Sequence, residues 1–139
     1  SMKLTAQKQI TVRFSEVDSM KVVWHGSYVT YFEDAREEFG KQFGLAYQGY
    51  IDEGYYAPIV DLQVHYKYPL RYNECAVIEI TYQPTESAKI VFDYEIKSLD
   101  GKTVYCTGKS VQVFMTLDYQ LVWQNPDFYE NWKKKWQQL

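Results

Sequence analysis

Between residues 28 and 43, apolar side chains recur at helical spacing. They lie three or four residues apart, which keeps them on one face of a helix. Ser27 is a candidate N-cap before this run, and Gly44 is a candidate stop after it. The pattern therefore predicts a helix from Ser27 to Phe43, and the residues of its apolar face are Tyr28, Tyr31, Phe32, Ala35, Phe39 and Phe43.

Most of the remaining chain has the two-residue period of strands. Ile10, Val12 and Phe14 alternate with polar residues and predict a short first strand. Longer alternating runs predict strands at 59–68, 76–83, 89–97 and 103–116. Asp100 and Gly101 form a hairpin signal between the last two. The phase of the final run slips around Gly108, which indicates a bulge or a close backbone approach.

Two segments fall outside this strand pattern. Residues 45–57 contain two glycines and four tyrosines without clear periodicity, so we expect a loop that covers one end of the helix. Asn125 and Pro126 are typical of a helix start, and aromatic residues recur at helical spacing after them. A short C-terminal helix is expected to lie on the sheet or on a neighbouring subunit. One apolar-faced helix with a series of strands is an α+β pattern, in which an antiparallel sheet curls around the helix.

Composition limits the class of protein. The 139 residues predict a single domain, 1–139, and 18% of them are aromatic. The net charge of −3 and the absence of a basic run longer than three lysines argue against a nucleic-acid partner. Cys75 and Cys106 follow no metal-ligand spacing and are expected to be free thiols. With no apolar stretch of signal-peptide or membrane-span length, we expect a cytoplasmic protein.

Asp18 and His25 lie just before the predicted helix, on a segment that is otherwise largely apolar. The free N–H groups of a helix N-terminus attract negative charge. A carboxylate, an imidazole and such an N-terminus together supply a base or nucleophile, a positioning group and an oxyanion site, as acyl transfer to water requires. The alternative is structural: Asp18 caps a turn and His25 is an ordinary polar residue. No serine-nucleophile, metal-binding or phosphate-loop motif competes with Asp18.

The segment around these residues resembles the signature of hotdog-fold acyl-CoA thioesterases of the 4-hydroxybenzoyl-CoA thioesterase type. The residues that carry the resemblance are Glu16, Asp18, Val22, Val23, His25, Gly26, Tyr28, Tyr31, Phe32, Glu33, Ala35 and Arg36. The resemblance implies that Asp18 is the catalytic carboxylate, that His25 lies beside the thioester, and that the motif opens the central helix. It also implies subunits that join their sheets edge to edge, with active sites at the seam. Lys21 departs from the glycine usual in the family, and Met20 from an often small residue.

We therefore expect a hotdog-fold thioesterase that hydrolyses acyl-CoA, with Asp18 as nucleophile or general base and His25 as its catalytic partner. No metal or cofactor is expected, since coenzyme A is part of the substrate. The expected assembly is a homodimer or a dimer of dimers, without integral membrane contact. The predicted substrate-binding residues are Trp24, Gly26, Tyr28, Tyr31, Phe32 and Arg71.

The bulky aromatic residues among them favour short, medium or aromatic acyl groups over long ones. Two other functions remain open from the sequence. One is a hotdog hydratase or dehydratase that acts on acyl-CoA, and the other is an acyl-binding protein without activity.

Overall fold

The fold is an antiparallel sheet wrapped around one long helix. A computed structural model describes residues 3–139, so the first two residues of the predicted domain lie outside the described part. In chain order, the elements are β1 (Thr5–Thr11), a 3₁₀ helix (Phe14–Glu16), α1 (Ser27–Phe43), α2 (Tyr47–Asp52), β2 (Tyr55–Tyr56), β3 (Ile59–Tyr66), β4 (Cys75–Gln83), β5 (Lys89–Lys97), β6 (Val104–Thr116), β7 (Leu121–Val122) and α3 (Asp127–Lys135).

The seven strands form one sheet in which β1, β4, β5 and β6 are neighbours in that order. β6 is long enough to pair also with β2, β3 and β7, and every strand pair is antiparallel. One row of paired residues crosses the sheet beneath α1, and it consists of Ala6, Ile80, Tyr94, Gly108 and Val64. The predicted α+β fold class, a sheet around a central helix, is confirmed.

Helix α1 has the predicted bounds, Ser27–Phe43. Five of the six residues of its predicted apolar face are buried, with Phe32 and Phe39 at 0% exposure, and Phe43 is half-buried. Gly44 ends the helix with a φ of 98°, and its N–H donates to the Gly40 carbonyl at 2.8 Å. The predicted N-cap is wrong, because Gly26 occupies that position and Ser27 is the first helical residue. The Ser27 hydroxyl instead donates to the Glu16 carbonyl at 3.0 Å.

The phase slip around Gly108 reflects a close approach between helix and sheet. A Cβ atom at Gly108 would lie 2.4 Å from Cε2 of Phe32, so only glycine leaves room for that ring. Phe32 stacks on Tyr94 beside it, with ring centroids 4.3 Å apart. The register irregularity itself lies nearer the start of β6, between Val104 and Cys106. The helix therefore packs closely against the middle of the sheet.

Two predicted elements are corrected by the structure. The first strand is Thr5–Thr11, earlier than the predicted alternation, and Phe14 lies in the 3₁₀ helix with 68% of its surface exposed. Residues 45–57 are not a loop, since they contain α2 and β2. Helix α2 is only six residues long, too short for a helical period to be recognised in the sequence. Its Tyr50 is buried and donates its hydroxyl to the Leu45 carbonyl at 3.2 Å.

The C-terminal helix is confirmed as α3, which begins directly after Pro126. It packs on the chain's own sheet through Tyr129 and Trp132. The Trp132 indole N–H donates to the Phe43 carbonyl at 2.7 Å and so closes the C-terminal end of α1. Both cysteines are free thiols, as predicted. Across residues 3–139, no helix combines the length and the apolar character needed to span a bilayer.

Candidate active site

Asp18 lies on a tight turn formed by residues 18–21. The Lys21 N–H donates to the Asp18 carbonyl at 3.0 Å, and the Asp18 N–H donates to the Val22 carbonyl at 2.9 Å. The Met20 N–H donates to Oδ1 of the half-buried Asp18 carboxylate at 2.8 Å. This contact orients the carboxylate and leaves Oδ2 without a hydrogen bond among residues 3–139. Asp18 thus caps a turn, as the structural alternative proposed, and keeps one carboxylate oxygen without a hydrogen bond within residues 3–139.

Lys21 adopts the left-handed backbone conformation, with a φ of 62°. The turn therefore keeps the conformation that a glycine would adopt easily, although lysine occupies the position. A non-glycine residue in this region costs about 1–2 kcal/mol. The departure from the family pattern at this position is therefore a local strain of the backbone at Lys21.

The segment from residue 16 to residue 27 is a short hairpin that leads into α1. Val17 and Val23 form an antiparallel bridge, and the Trp24 N–H donates to the Glu16 carbonyl at 2.9 Å. The Val23 N–H donates to the Leu70 carbonyl at 2.7 Å, which fixes the hairpin to the rest of the fold. Asp18 lies at the tip of this hairpin, and His25 follows its second arm, in the turn that precedes α1.

His25 and Gly26 directly precede the first turn of α1. The Tyr66 hydroxyl donates to the His25 carbonyl at 2.8 Å, which orients the peptide before the helix. The His25 side chain is exposed, and its ring lies 4.7 Å from the half-exposed Trp24 ring. A Cβ atom at Gly26 would lie 2.2 Å from Cζ3 of Trp24, so glycine allows the indole to cover the backbone here. The Ser27 N–H donates to the Trp24 carbonyl at 2.8 Å, so the free N–H groups at the start of α1 are those of Tyr28 and Val29, just after Gly26.

Glu16 connects the hairpin to α1, a role that sequence reasoning did not assign to it. Its Oε1 accepts hydrogen bonds from the Tyr31 hydroxyl at 2.9 Å and from the Arg13 N–H at 2.8 Å. Burial and the hydrogen bond to Glu16 raise the pKa of Tyr31 well above its ordinary value. The only sequence signal was the presence of Glu16 in the family signature. Glu16 acts on the site by holding the hairpin against the helix.

Three of the aromatic residues predicted to bind substrate belong to α1, and their side chains are buried in the single chain. Tyr28, Tyr31 and Phe32 are 3%, 2% and 0% exposed. Burial raises the pKa of Tyr28 to about 12, and its ring packs edge-on against Tyr66 at 5.1 Å. These three side chains therefore lie buried beneath the N-terminal half of the helix, whereas Trp24 and Gly26 lie at the accessible surface.

Arg71 lies at the rim of the Asp18 turn. Its backbone bridges to Val22, and its exposed guanidinium donates from Nε to Oε1 of Glu74 at 2.9 Å. This hydrogen bond raises the pKa of Arg71 further. Within residues 3–139, no cluster of three His, Cys, Asp or Glu side chains is arranged to hold a metal ion.

A cavity of about 510 Å³ lies elsewhere, between α1, α2 and the sheet. Residues that line it include Glu33, Arg36, Tyr50, Ile59, Phe92 and Gln112. The sequence reasoning missed this cavity because α2, which forms one wall, was predicted to be a loop. Gln112 was a usable signal, since it is a polar residue in phase with the buried Ser110 and Phe114 on β6.

Arg36 reaches from α1 into the core beside this cavity. Its Nη1 donates to the Tyr94 hydroxyl at 2.9 Å, and Tyr94 in turn lies 2.6 Å from the Ser110 hydroxyl. Because Tyr94 accepts from Arg36, its own proton is available to Ser110. This network fixes the helix against the sheet between the cavity and the hairpin.

Comparison with known proteins identifies the family of the chain. The sequence matches the Thioesterase-like superfamily over residues 12–133. It is 33% identical over 97 residues to YneP of Bacillus subtilis, assigned as an acyl-CoA thioesterase, covering 70% of each chain. The fold matches a DHNA-CoA thioesterase from Staphylococcus aureus with a TM-score of 0.83 and 27% identity, covering 96% of this chain and 91% of the other.

A 4-hydroxybenzoyl-CoA thioesterase crystallised with its substrate is also similar in fold, with a TM-score of 0.79 and 17% identity over 93% of this chain and 98% of the other. The resemblance read from the segment around Asp18 is thereby confirmed. The chain belongs to the Thioesterase-like superfamily.

Proposed function

We propose that this protein is an acyl-CoA thioesterase that releases a carboxylic acid and free coenzyme A. The observation that carries the proposal is the Asp18 turn, which holds an oriented carboxylate on the hairpin that leads into α1, in a chain of this superfamily. The Bacillus and Staphylococcus relatives, which carry thioesterase names, support the same reaction.

Asp18 acts in one of two ways. As a nucleophile, its carboxylate attacks the thioester carbon, the thiolate of coenzyme A leaves, and water then hydrolyses the mixed anhydride and restores Asp18. As a general base, it takes a proton from water as the water oxygen attacks the same carbon, and that proton passes to the departing sulfur. In both cases, the free N–H groups at the start of α1 stabilise the oxyanion. His25 positions or polarises the thioester.

The thioester contacts the surface formed by Trp24 and Gly26. The buried side chains of Tyr28, Tyr31 and Phe32 lie beneath that surface. Arg71, together with Lys21 beside it on the same rim, meets the phosphates of coenzyme A, because a guanidinium binds phosphate oxygens in pairs. The Tyr72 N–H donates to the Lys21 carbonyl at 3.0 Å, so the two basic residues are held close together. No resident cofactor takes part, since coenzyme A enters as part of the substrate, and the protein works in the cytoplasm.

The acyl group is short to medium in length or aromatic. The bulky rings under the helix N-terminus limit its depth there, and one methylene in an apolar pocket is worth about 1–3 kcal/mol. The DHNA-CoA and 4-hydroxybenzoyl-CoA thioesterases that share this fold act on aromatic acyl groups, as their names state, which supports an aromatic substrate. A rate that rises steadily towards palmitoyl-CoA would contradict this part of the proposal.

The functional unit is at least a homodimer, and a dimer of dimers is the larger assembly we propose. β3 is an edge strand, paired only with β6 in the described part of the chain. Its apolar residues Val60 and Tyr66 are 59% and 54% exposed, and Tyr68 just beyond it is 59% exposed. An unpaired apolar edge favours pairing with another chain, and a second copy does so about a two-fold axis. Light scattering that gives a monomer at micromolar concentration with full activity would contradict this.

The function is tested by the release of free thiol from a panel of acyl-CoAs, measured with a thiol reagent. We expect release by the wild type and not by Asp18→Asn. A hydratase would change the absorbance of an enoyl-CoA without releasing thiol, and a binding protein would do neither. Either of those results would overturn the proposal.

A further inference from the structure

Another cavity, here called the outer cavity, lies where β2 and β7 pair with the end of β6. Its volume is about 440 Å³, which is within the range of small-molecule sites. Tyr56 pairs with Met115, and Met115 pairs with Leu121, so these three side chains share one face of the sheet. The residues that line the cavity are aromatic or apolar, and they are Tyr47, Tyr56, Ala57, Pro58, Met115 and Tyr119.

This end of the sheet is apolar on both of its faces. On the inner face, Tyr55 packs against Phe128 of α3, with ring centroids 5.7 Å apart. An antiparallel sheet normally exposes polar side chains on its other face. Here that face carries Leu121, which is 48% exposed, and the neighbouring Tyr47 and Tyr119 are each 72% exposed. Exposed apolar patches of this kind mark binding surfaces.

Tyr119 is held beside this face by a strained turn. Its φ is 69°, in the left-handed region that a bulky side chain rarely adopts. The Tyr119 N–H donates to the Thr116 carbonyl at 2.9 Å, and the Thr116 N–H donates to the Gln120 carbonyl at 2.8 Å. The Tyr119 ring stacks on Tyr56, with centroids 5.8 Å apart and planes 14° apart. Backbone strain of this kind is frequent where a protein holds a ligand.

The chain segments that form the outer cavity are acidic. Residues 42–66 and 110–132 contain no lysine or arginine, and each segment contains three acidic residues. Lys89 pairs with Val113 on the opposite side of β6 from β2, and it does not line the cavity. The acidic residues of the two segments are Asp52, Glu53, Asp61, Asp118, Asp127 and Glu130.

Aromatic rings in acidic surroundings attract cations. The face of a tyrosine ring is electron-rich and attracts an ammonium or guanidinium group within about 6 Å of its centroid. The acidic residues would repel an anionic ligand or the surface of an anionic membrane. A second copy of the chain placed on this face about a two-fold axis would bring the same acidic residues together. A small cation with an apolar shell suits both the rings and the charge.

We propose that the outer cavity binds a small organic cation of the alkylated ammonium class, with the exposed rings of Tyr47 and Tyr119 as its main contacts. Met115 is nine residues along β6 from Cys106, the residue that pairs with Tyr66. The outer cavity is therefore roughly 30 Å from the hairpin at the start of α1 in the same chain. The site is separate from Asp18, and the inference does not depend on the thioesterase function.

The test compares choline with neohexyl alcohol, a neutral molecule of the same shape in which a carbon atom replaces the nitrogen. Binding is followed by NMR of protein labelled at the methionine methyl groups. Met115 lines the cavity and should shift, whereas the exposed Met20, in the Asp18 turn, should not. The dissociation constant should be at least about fivefold lower for choline than for the alcohol. A purely apolar pocket would show the reverse order, because the alcohol loses less hydration on binding.

Three variants test the role of the ring. Tyr119→Leu keeps an apolar side chain without a ring, and it is expected to raise the dissociation constant of choline at least about threefold and to leave that of the alcohol nearly unchanged. Tyr119→Phe retains the ring and should bind choline within about twofold of the wild type. Tyr72→Leu is the matched control, because Tyr72 and Phe14 form another exposed aromatic pair, with centroids 5.8 Å apart, and it should leave choline binding unchanged.

Equal binding of the two probes, or tighter binding of the alcohol, would overturn the inference. An unchanged dissociation constant for choline in Tyr119→Leu would also overturn it, as would a shift of Met20 without a shift of Met115. Melting temperatures show whether each variant folds. If Tyr119→Leu does not fold, Tyr47→Leu replaces it with the same expected loss, since Tyr47 is exposed on α2 and lines the same cavity.

Discussion

The two ends of α1 are held in different ways. At the N-terminal end, the hairpin that carries Asp18 and His25 is fixed mainly by backbone hydrogen bonds, such as those to the carbonyls of Glu16 and Leu70. Its functional side chains are half-buried or exposed. At the C-terminal end, aromatic packing dominates: Phe39 is fully buried, its ring lies 4.8 Å from Phe92, and α3 closes the end through Trp132.

This difference separates stability from chemistry along one helix. Backbone hydrogen bonds and the contact between Glu16 and Tyr31 position the N-terminal hairpin, and they leave Oδ2 of Asp18 and the exposed His25 ring able to contact a substrate. Buried rings at the other end contribute through dispersion and loss of apolar surface, and they have no free polar group to offer. Substitutions at the two ends should therefore affect different measurements.

Phe39→Ala is expected to have the largest effect, and on stability. Removing a fully buried phenylalanine costs about 3–5 kcal/mol of unfolding free energy, because it leaves a cavity that the neighbours fill only in part. Chemical denaturation measures the loss, and kcat of the molecules that remain folded should change little. Val29→Ala, on the exposed side of the same helix, is the control and should cost much less. Similar losses in both variants would show that aromatic packing does not dominate this end.

Asp18→Asn is expected to lower kcat/KM by at least about a hundredfold, as removal of a base or nucleophile commonly does. The melting temperature should change little, because asparagine still accepts the hydrogen bond from the Met20 N–H. Asp100→Asn is a matched control, since Asp100 also accepts a backbone N–H in an exposed turn, from Lys102 at 3.0 Å. Near wild-type turnover by Asp18→Asn would remove Asp18 from the mechanism.

Lys21→Gly is expected to stabilise the protein by about 0.5–1 kcal/mol. Glycine relieves the strain of the positive φ, and its greater freedom in the unfolded chain offsets part of the gain. Lys102→Gly, at a position without a positive φ, should instead destabilise. Denaturation midpoints compare the two variants. A loss of stability in Lys21→Gly would mean that the lysine side chain makes a contribution larger than the backbone strain.

The smallest expected effect is a loss of stability at high pH, caused by ionisation of Tyr28. Its pKa is raised from 10.0 to about 12 in the folded protein, so its stabilising contribution is complete below pH 10 and is lost as the pH rises from 10 towards 12. At pH 10 the expected loss is about 0.4 kcal/mol, which is RT ln 2 for a group at its unfolded pKa. Denaturation at pH 8 and pH 10 should show a smaller difference for Tyr28→Phe than for the wild type. Tyr47→Phe, at an exposed tyrosine, should behave like the wild type.

The elements that could be predicted from the sequence are those whose residues repeat over several turns or pleats. The bounds of α1 could be read because its buried face spans more than four turns, and Gly44 ends it with the positive φ that glycine favours. The hairpin between β5 and β6 was readable for a similar local reason, since Gly101 also has a positive φ. The position of Asp18 before the helix followed from adjacency along the chain.

Features that depend on residues far apart in the sequence could not be predicted and become apparent only in the folded chain. Helix α2 is too short to show a period, and β1 is recognisable chiefly by its pairing with β4, about 70 residues later. The contact between Glu16 and Tyr31 and the unpaired oxygen of Gln112 appear only once α1 lies on the sheet. Periodicity records which face of an element is buried, whereas a cavity and a hydrogen-bond partner depend on what other elements bring to that face.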